Sequence, residues 1–96
     1  MNGEQATATD AANLLTMLGN EKRLAILRSI LDREMSVGAL AEKVELSQSA
    51  LSQHLAKLRK SKLVETRRDR QTIYYSCRSE KVRTIMRALH NLYQIA

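Results

Sequence analysis

The sequence predicts a mainly α-helical domain carrying one small β-hairpin. Three observations carry this. Apolar residues recur at three- and four-residue spacing through most of the chain, Pro is absent, and one short stretch, residues 63–76, changes to the β-branched and aromatic composition of strands. The 96 residues make one domain, near the lower size limit for burying a core alone. With three Tyr, no Phe and no Trp, that core has to be aliphatic. Small aliphatic domains are often completed by a second subunit.

Residues 1–9 are small and polar and are expected to be flexible, leaving residues 10–96 as the folded domain. Thr9 or Asp10 is placed to cap a first helix reaching about Leu18, with Leu14, Leu15 and Leu18 on one side. Gly19 suits the position after that helix and Asn20 caps a second. Its stripe is Leu24, Leu27, Ile30 and Leu31, with Ile26 on the flank and Lys22, Arg23 and Arg28 pointing away. Residues 32–35 read as a turn. Ser36 then caps a short third helix, Val37 to about Val44, with Val37, Leu40, Ala41 and Val44 inward.

Glu45-Leu46-Ser47 would join this helix to a fourth. The joint lacks glycine, so it either needs no left-handed residue or tolerates Glu45. Ser47 caps the fourth helix, Leu46 and Leu51 form a hydrophobic staple, and Leu51, Leu55 and Leu58 make its apolar stripe. The opposite face holds Gln48, Ser49, Ser52, Gln53 and Lys57, side chains that donate and accept and suit the edges of DNA bases. Two short helices joined tightly, the second with a polar face, make a helix-turn-helix. Strands at Leu63–Arg67 and Thr72–Ser76, with a tip at residues 68–71, add a two-stranded wing. Ser79 caps a last helix from Glu80 to about Ile95, which completes a five-helix winged helix-turn-helix. The stripe of that helix, Val82, Ile85, Met86, Leu89, Leu92 and Tyr93, is expected to form a homodimer seam flanked by Leu14, Leu15 and Leu18.

Charge points to the partner. Lys and Arg outnumber Asp and Glu by 16 to 10, a net +6. Seven of the bases, Lys57, Arg59, Lys60, Lys62, Arg67, Arg68 and Arg70, fall within residues 57–70 against two acids, Glu65 and Asp69. A basic run directly after a polar helix face fits double-stranded DNA. The expected DNA contacts are Ser47, Gln48, Ser49, Ser52, Gln53, His54 and Lys57 from the helix, and Arg67, Arg68, Arg70 and Gln71 from the wing. His54 has a second reading, as an internal hydrogen-bonder of its own helix.

Other classes find little support. There is no Gly-rich phosphate loop, no paired carboxylates in an apolar setting and no nucleophile beside a base, so no enzyme and no cofactor are expected. The single Cys77 fits a reducing compartment, and no apolar run approaches eighteen residues, so a cytoplasmic protein is expected.

The segments Asn20–Leu27, Val37–Ala41, Ser47–Leu58, Leu63-Val64, Arg67–Asp69 and Tyr74–Ser76 together resemble the ArsR/SmtB family of bacterial repressors, over roughly residues 10–95. Within it the chain looks most like the metal-free branch of rhizobial nodulation repressors. The resemblance implies a homodimeric winged helix that binds an inverted-repeat operator and blocks transcription. Glu21 departs from the family, which often has proline there, yet an acid at a helix start is favoured by the dipole. Metal-sensing members use cysteines in the third helix or Asp and His pairs along the last. Here the third helix has no Cys, and the last has His90 and one acid, Glu80, so no metal site is expected. Two alternatives stay open. One is a redox- or metal-responsive derepressor using Cys77 or His90, with Arg78 and Arg67 or Arg70 lowering the thiol pKa. The other is a winged helix that binds protein in place of DNA, which would show an apolar patch on the reading face.

Overall fold

The computed structural model describes residues 6–94. Its centre forms where two serine-capped helices follow one another. The Ser36 hydroxyl accepts the Ala39 N–H at 3.2 Å and starts α3 (Val37–Val44). The Ser47 hydroxyl accepts the Ala50 N–H at 3.1 Å and starts α4 (Gln48–Lys60). Between them Glu45 has φ 59°, and the Leu46 N–H reaches the Ala41 carbonyl at 3.0 Å. This closure demands a left-handed residue. The joint therefore tolerates Glu45 where glycine would be unstrained. Lys22 places its ammonium on the Val44 carbonyl at 2.8 Å, a cation at the negative end of α3.

Helix α2 (Glu21–Ile30) is capped by Asn20, whose side chain accepts the Arg23 N–H at 3.0 Å. Its core stripe differs from the expected one. Arg23, Ile26, Leu27 and Ile30 are buried, whereas Leu24 and Leu31 are half-buried. Helix α1 (Ala8–Leu18) also starts earlier than expected. Thr7 is the cap, not Thr9 or Asp10, and Asp10 returns the bond: the Asp10 N–H meets Thr7 Oγ1 at 3.1 Å and the Thr7 N–H meets Asp10 Oδ2 at 3.0 Å. Residues 7–9 thus belong to the fold, and the flexibility expected of residues 1–5 lies outside the described residues. Gly19 is not left-handed, with φ −83°; an added Cβ would meet the Leu15 carbonyl oxygen at 3.1 Å, so glycine serves a close approach.

The sheet has three antiparallel strands in the order β1-β3-β2. The expected turn at residues 32–35 is half strand: β1 (Glu34–Ser36) pairs Glu34 with Ser76 and Ser36 with Tyr74 of β3 (Thr72–Ser76). Three residues are too few for an alternation to show. The wing strand β2 (Glu65–Asp69) lies two residues later than expected, because Leu63 and Val64 are buried under the core and only then does pairing begin. The tip shortens to Arg70-Gln71, with Arg70 at φ 60°.

Past β3 the chain is stitched to the end of α2. The Cys77 N–H donates to the Ile30 carbonyl at 2.9 Å and the Asp32 N–H to the Cys77 carbonyl at 2.8 Å. Ser79 caps α5 (Glu80–Tyr93), which ends at left-handed Gln94. The expected end at Ile95 lies outside the described residues. Arg83 on α5 pairs with Asp32 and with Glu80 and ties the helix start to this seam. The core gathers Ile26, Leu27 and Ile30 of α2, Leu40 of α3, Leu51, Leu55 and Leu58 of α4, Cys77 and Val82, each essentially without exposed surface. Each buried leucine or isoleucine stabilises by about 1.5–3 kcal/mol.

Candidate nucleic-acid interface

Helix α4 is held from beneath by Leu51, Leu55 and Leu58, which leaves its upper face to solvent. At about 100° per residue, Ser49, Gln53, Ala56 and Lys60 form the ridge facing directly away from those leucines. All four are exposed. Ser52 and Lys57 flank the ridge and are exposed as well. Gln48 is exposed at the α3 edge of this face, its amide nitrogen 4.0 Å from where a Cβ on Gly38 would stand. Thirteen residues give a rod about 20 Å long, and a major groove about 12 Å wide admits such a helix. The Ser47 oxygen accepts the capping N–H, which leaves its O–H free to donate to a ligand.

The wing carries the second part of the expected set. Arg68, Arg70 and Gln71 are exposed at its far end. Arg67 is not equally available. Its guanidinium reaches across β3 to Glu34, at 2.6 Å from Nη2 to Oε1 and 3.2 Å from Nε to each carboxylate oxygen, and stacks 4.7 Å from the Tyr74 ring centre. The paired guanidinium holds the Glu34 carboxyl below the usual carboxylate range. Sequence reasoning missed Glu34, because the contact spans 33 residues and needs β1; Tyr74 lies directly across the hairpin from Arg67.

His54 is less open than the rest of the expected α4 set. It is half-buried, and its Nδ1 lies 3.4 Å from Nη1 of buried Arg23. Arg23 further donates from Nε to the Met17 carbonyl at 2.7 Å and from Nη2 to the Thr16 carbonyl at 3.1 Å. The sequence reading placed Arg23 in solvent. A signal was present: Arg23 stands at i, i+3, i+4 and i+7 with Ile26, Leu27 and Ile30, but its charge hid it from an apolar count.

The expected seam divides. Leu15, Leu92 and Tyr93 are 61%, 71% and 69% exposed, and Leu14, Ile85, Met86 and Leu89 are half-buried. Leu18 and Val82 do not belong to it. They are enclosed within their own chain, at 4% and 0% exposure, and have no surface left to give a second copy. A cleft of about 720 Å³ opens beside α1, lined by Asp10, Leu14, Met17, Ser61, Leu63 and Lys81 among others.

Cys77 is fully buried, and burial pushes its thiol up, the direction opposite to the lowered pKa expected of a reactive cysteine; Asp32 adds to the rise, and a hydrogen bond at the Ser79 backbone and the charge of Arg83 only partly oppose it. His90 is exposed on the last turn of α5. Among the described residues no three His, Cys, Asp or Glu side chains stand close enough within one chain to hold a metal ion. None of the described helices is long and apolar enough to cross a membrane.

A family model described as "Bacterial regulatory protein, arsR family" matches residues 20–66, the stretch from α2 to the start of the wing. The nodulation protein NolR of Rhizobium meliloti is 60% identical over 83 residues, covering 86% of this chain and 68% of NolR. The transcriptional activator HlyU of Vibrio cholerae is 48% identical over 89 residues, covering 93% of this chain and 82% of HlyU. The chain belongs to the arsR family of bacterial regulatory proteins. Solved structures agree with its arsR membership: NolR from Sinorhizobium fredii superposes with a TM-score of 0.86 at 52% identity over 97% of this chain and 99% of that one. A homodimeric winged helix-turn-helix DNA-binding domain from Mycobacterium bovis does so with a TM-score of 0.77 at 26% identity, over 98% and 91%. The expected fold, five helices with a winged helix-turn-helix, therefore stands, with a third strand added to the sheet.

Proposed function

We propose that this arsR-family protein is a homodimeric, sequence-specific regulator of transcription that binds an inverted-repeat operator in double-stranded DNA and represses where that operator overlaps the promoter. The observation that carries the reading is the exposed, polar α4 ridge beside an exposed basic wing tip, both held by one rigid core. Gln53 at the ridge centre is suited to pair twice with an adenine edge, with Ser49 and Ser52 beside it, and Gln48 reads from the α3 side. Ser47 and Lys57 serve phosphates near the positive start and the flank of the helix. Arg68, Arg70 and Gln71 track the backbone or a minor groove. The HlyU name, that of a transcriptional activator, and the homodimeric DNA-binding M. bovis domain support regulation of transcription by a dimer. The exposed Leu15, Leu92 and Tyr93 supply the apolar surface such a dimer needs. In this reading the protein works in the cytoplasm, without metal, cofactor or catalysis.

The test is recovery of DNA bound in cells, followed by titration of the recovered site at several salt concentrations. A shared inverted repeat is expected. Arg68→Ala and Arg70→Ala each lower the salt slope by roughly two, since each phosphate contact contributes about 0.9 and the dimer carries two copies of each wing. Arg67→Ala lowers it much less, because Glu34 already neutralises that guanidinium. Recovery of no common site, or equal slopes for Arg70→Ala and the wild type, overturns the reading.

A further inference from the structure

Arg23 is a cation buried to 8% exposure, and each of its contacts has a direction. Its Nε and Nη2 hold the Met17 and Thr16 carbonyls at the end of α1. Its Nη1 points at His54 Nδ1 on α4. A guanidinium can only donate, so Nδ1 has to be the acceptor and the imidazole proton has to sit on Nε2. The contact thus requires a neutral His54. The charges acting on that ring are Arg23 from α2 and Lys57 from its own helix, both cationic, while α1 contributes only the two carbonyls that Arg23 already occupies. Arg23 in this way hydrogen-bonds the end of α1 and the DNA-facing helix at once.

We propose that Arg23 and His54 are positioning residues: the neutral His54 ring accepts a guanidinium hydrogen from Nη1 and fixes the angle of α4 against α1, so that protonation of His54 releases the reading helix. The inference rests on the DNA-binding function proposed above. Burial, then Arg23, then Lys57 hold the His54 pKa below its ordinary value of 6.5. The stabilising neutral state is therefore complete above that value and is lost as the pH falls. The opposite sign belongs to a histidine that touches DNA. Such a ring gains a phosphate partner on protonation, and affinity rises with acid.

The probes are the tightest duplex selected from a randomised pool and a scrambled duplex, each titrated at one salt concentration. As the pH falls from about 7.5 until His54, whose pKa is held below its ordinary value, becomes protonated, wild-type affinity for the selected duplex is expected to fall by about threefold or more. His54→Asn places a neutral acceptor near the Nδ1 position and is expected to hold affinity near the wild-type value at the upper pH and flatten the profile. His54→Leu is expected to lose selectivity at every pH while still binding scrambled DNA. Nitrogen NMR of the ring is expected to show the Nε2–H tautomer in the wild type, and mixed tautomers in Arg23→Gln if that variant folds. A rise in affinity with acid, identical profiles for wild type and His54→Asn, or an Nδ1–H tautomer overturns the proposal. Failure of the pool to yield any selected duplex overturns the DNA-binding function itself, a separate outcome.

Discussion

The two halves of this small domain are finished to different degrees. The helix-turn-helix half, α2 to α4, has its stripes closed: Ile26, Leu27, Leu40, Leu51 and Leu58 have no exposed surface, and Leu55 keeps 1%. Every helix start there has a side-chain cap. The flank made by α1 and α5 carries equally regular apolar stripes but leaves Leu15, Leu92 and Tyr93 open to water. The same spacing has therefore been satisfied within the chain in one half and left open to water in the other. The reading surface gains rigidity from the closed half, while in the proposed dimer its spacing against a twin would be set by the open half.

The largest expected effect breaks the closed half. Leu55→Ala removes a buried side chain beneath the centre of the reading helix and is expected to destabilise by about 2–5 kcal/mol, as cavities in packed cores do. Urea denaturation measures it. A loss under 1 kcal/mol would mean that α4 is held by something other than its leucine stripe.

The open half is expected to respond to charge without unfolding. Leu92→Glu changes a side chain that is 71% exposed in the single chain, so fold stability stays within about 0.5 kcal/mol. At a dimer seam the same change is expected to weaken association by about 2–4 kcal/mol. Sedimentation of wild type and variant over a concentration series decides the matter. A wild-type monomer at micromolar concentration would refute the seam and with it the contrast between the halves.

How much of this was legible in the sequence follows from the length scale of each contact. The α3–α4 joint and its caps could be read because Ser36 and Ser47 bond three residues ahead and Leu51, Leu55 and Leu58 keep one period. Strand β1 was missed because three residues show no alternation and its partner lies 40 residues on. Arg67 was read as a free cation because Glu34 comes from that unseen strand. Leu18 and Val82 were given to a seam because a stripe shows which residues share a face, not whose surface covers them. The polar ridge on α4 was visible, and helical spacing alone centres it on Gln53. Only the placed helix puts Gln48 at the α3 edge and His54 turned towards Arg23.

That order is testable at intermediate magnitude. Gln53→Ala is expected to lose about 1–3 kcal/mol per half-site of the true operator and little on scrambled DNA, because backbone contacts remain. Gln48→Ala, from the edge, is expected to lose less. Competition of the two duplexes at one fixed salt reads both. Equal weakening on both duplexes would move specificity to the wing or to DNA deformability.

The smallest expected effect concerns the joint between the two central helices and has the opposite sign. Glu45 is exposed and stands at φ 59°, where a Cβ crowds the following carbonyl at a cost of about 1–2 kcal/mol. Glycine removes that crowding but frees the unfolded chain, which returns about 0.4–1 kcal/mol. Glu45→Gly is therefore expected to stabilise the domain by about 0.5–1 kcal/mol, seen as a higher urea midpoint at an unchanged slope. Operator affinity is expected to stay the same. The position of α4 is set by the packing of Leu51, Leu55 and Leu58 and by the Arg23–His54 contact, not by the stiffness of residue 45. A raised midpoint with weakened DNA binding would show instead that the strained joint itself holds the reading helix at its working angle.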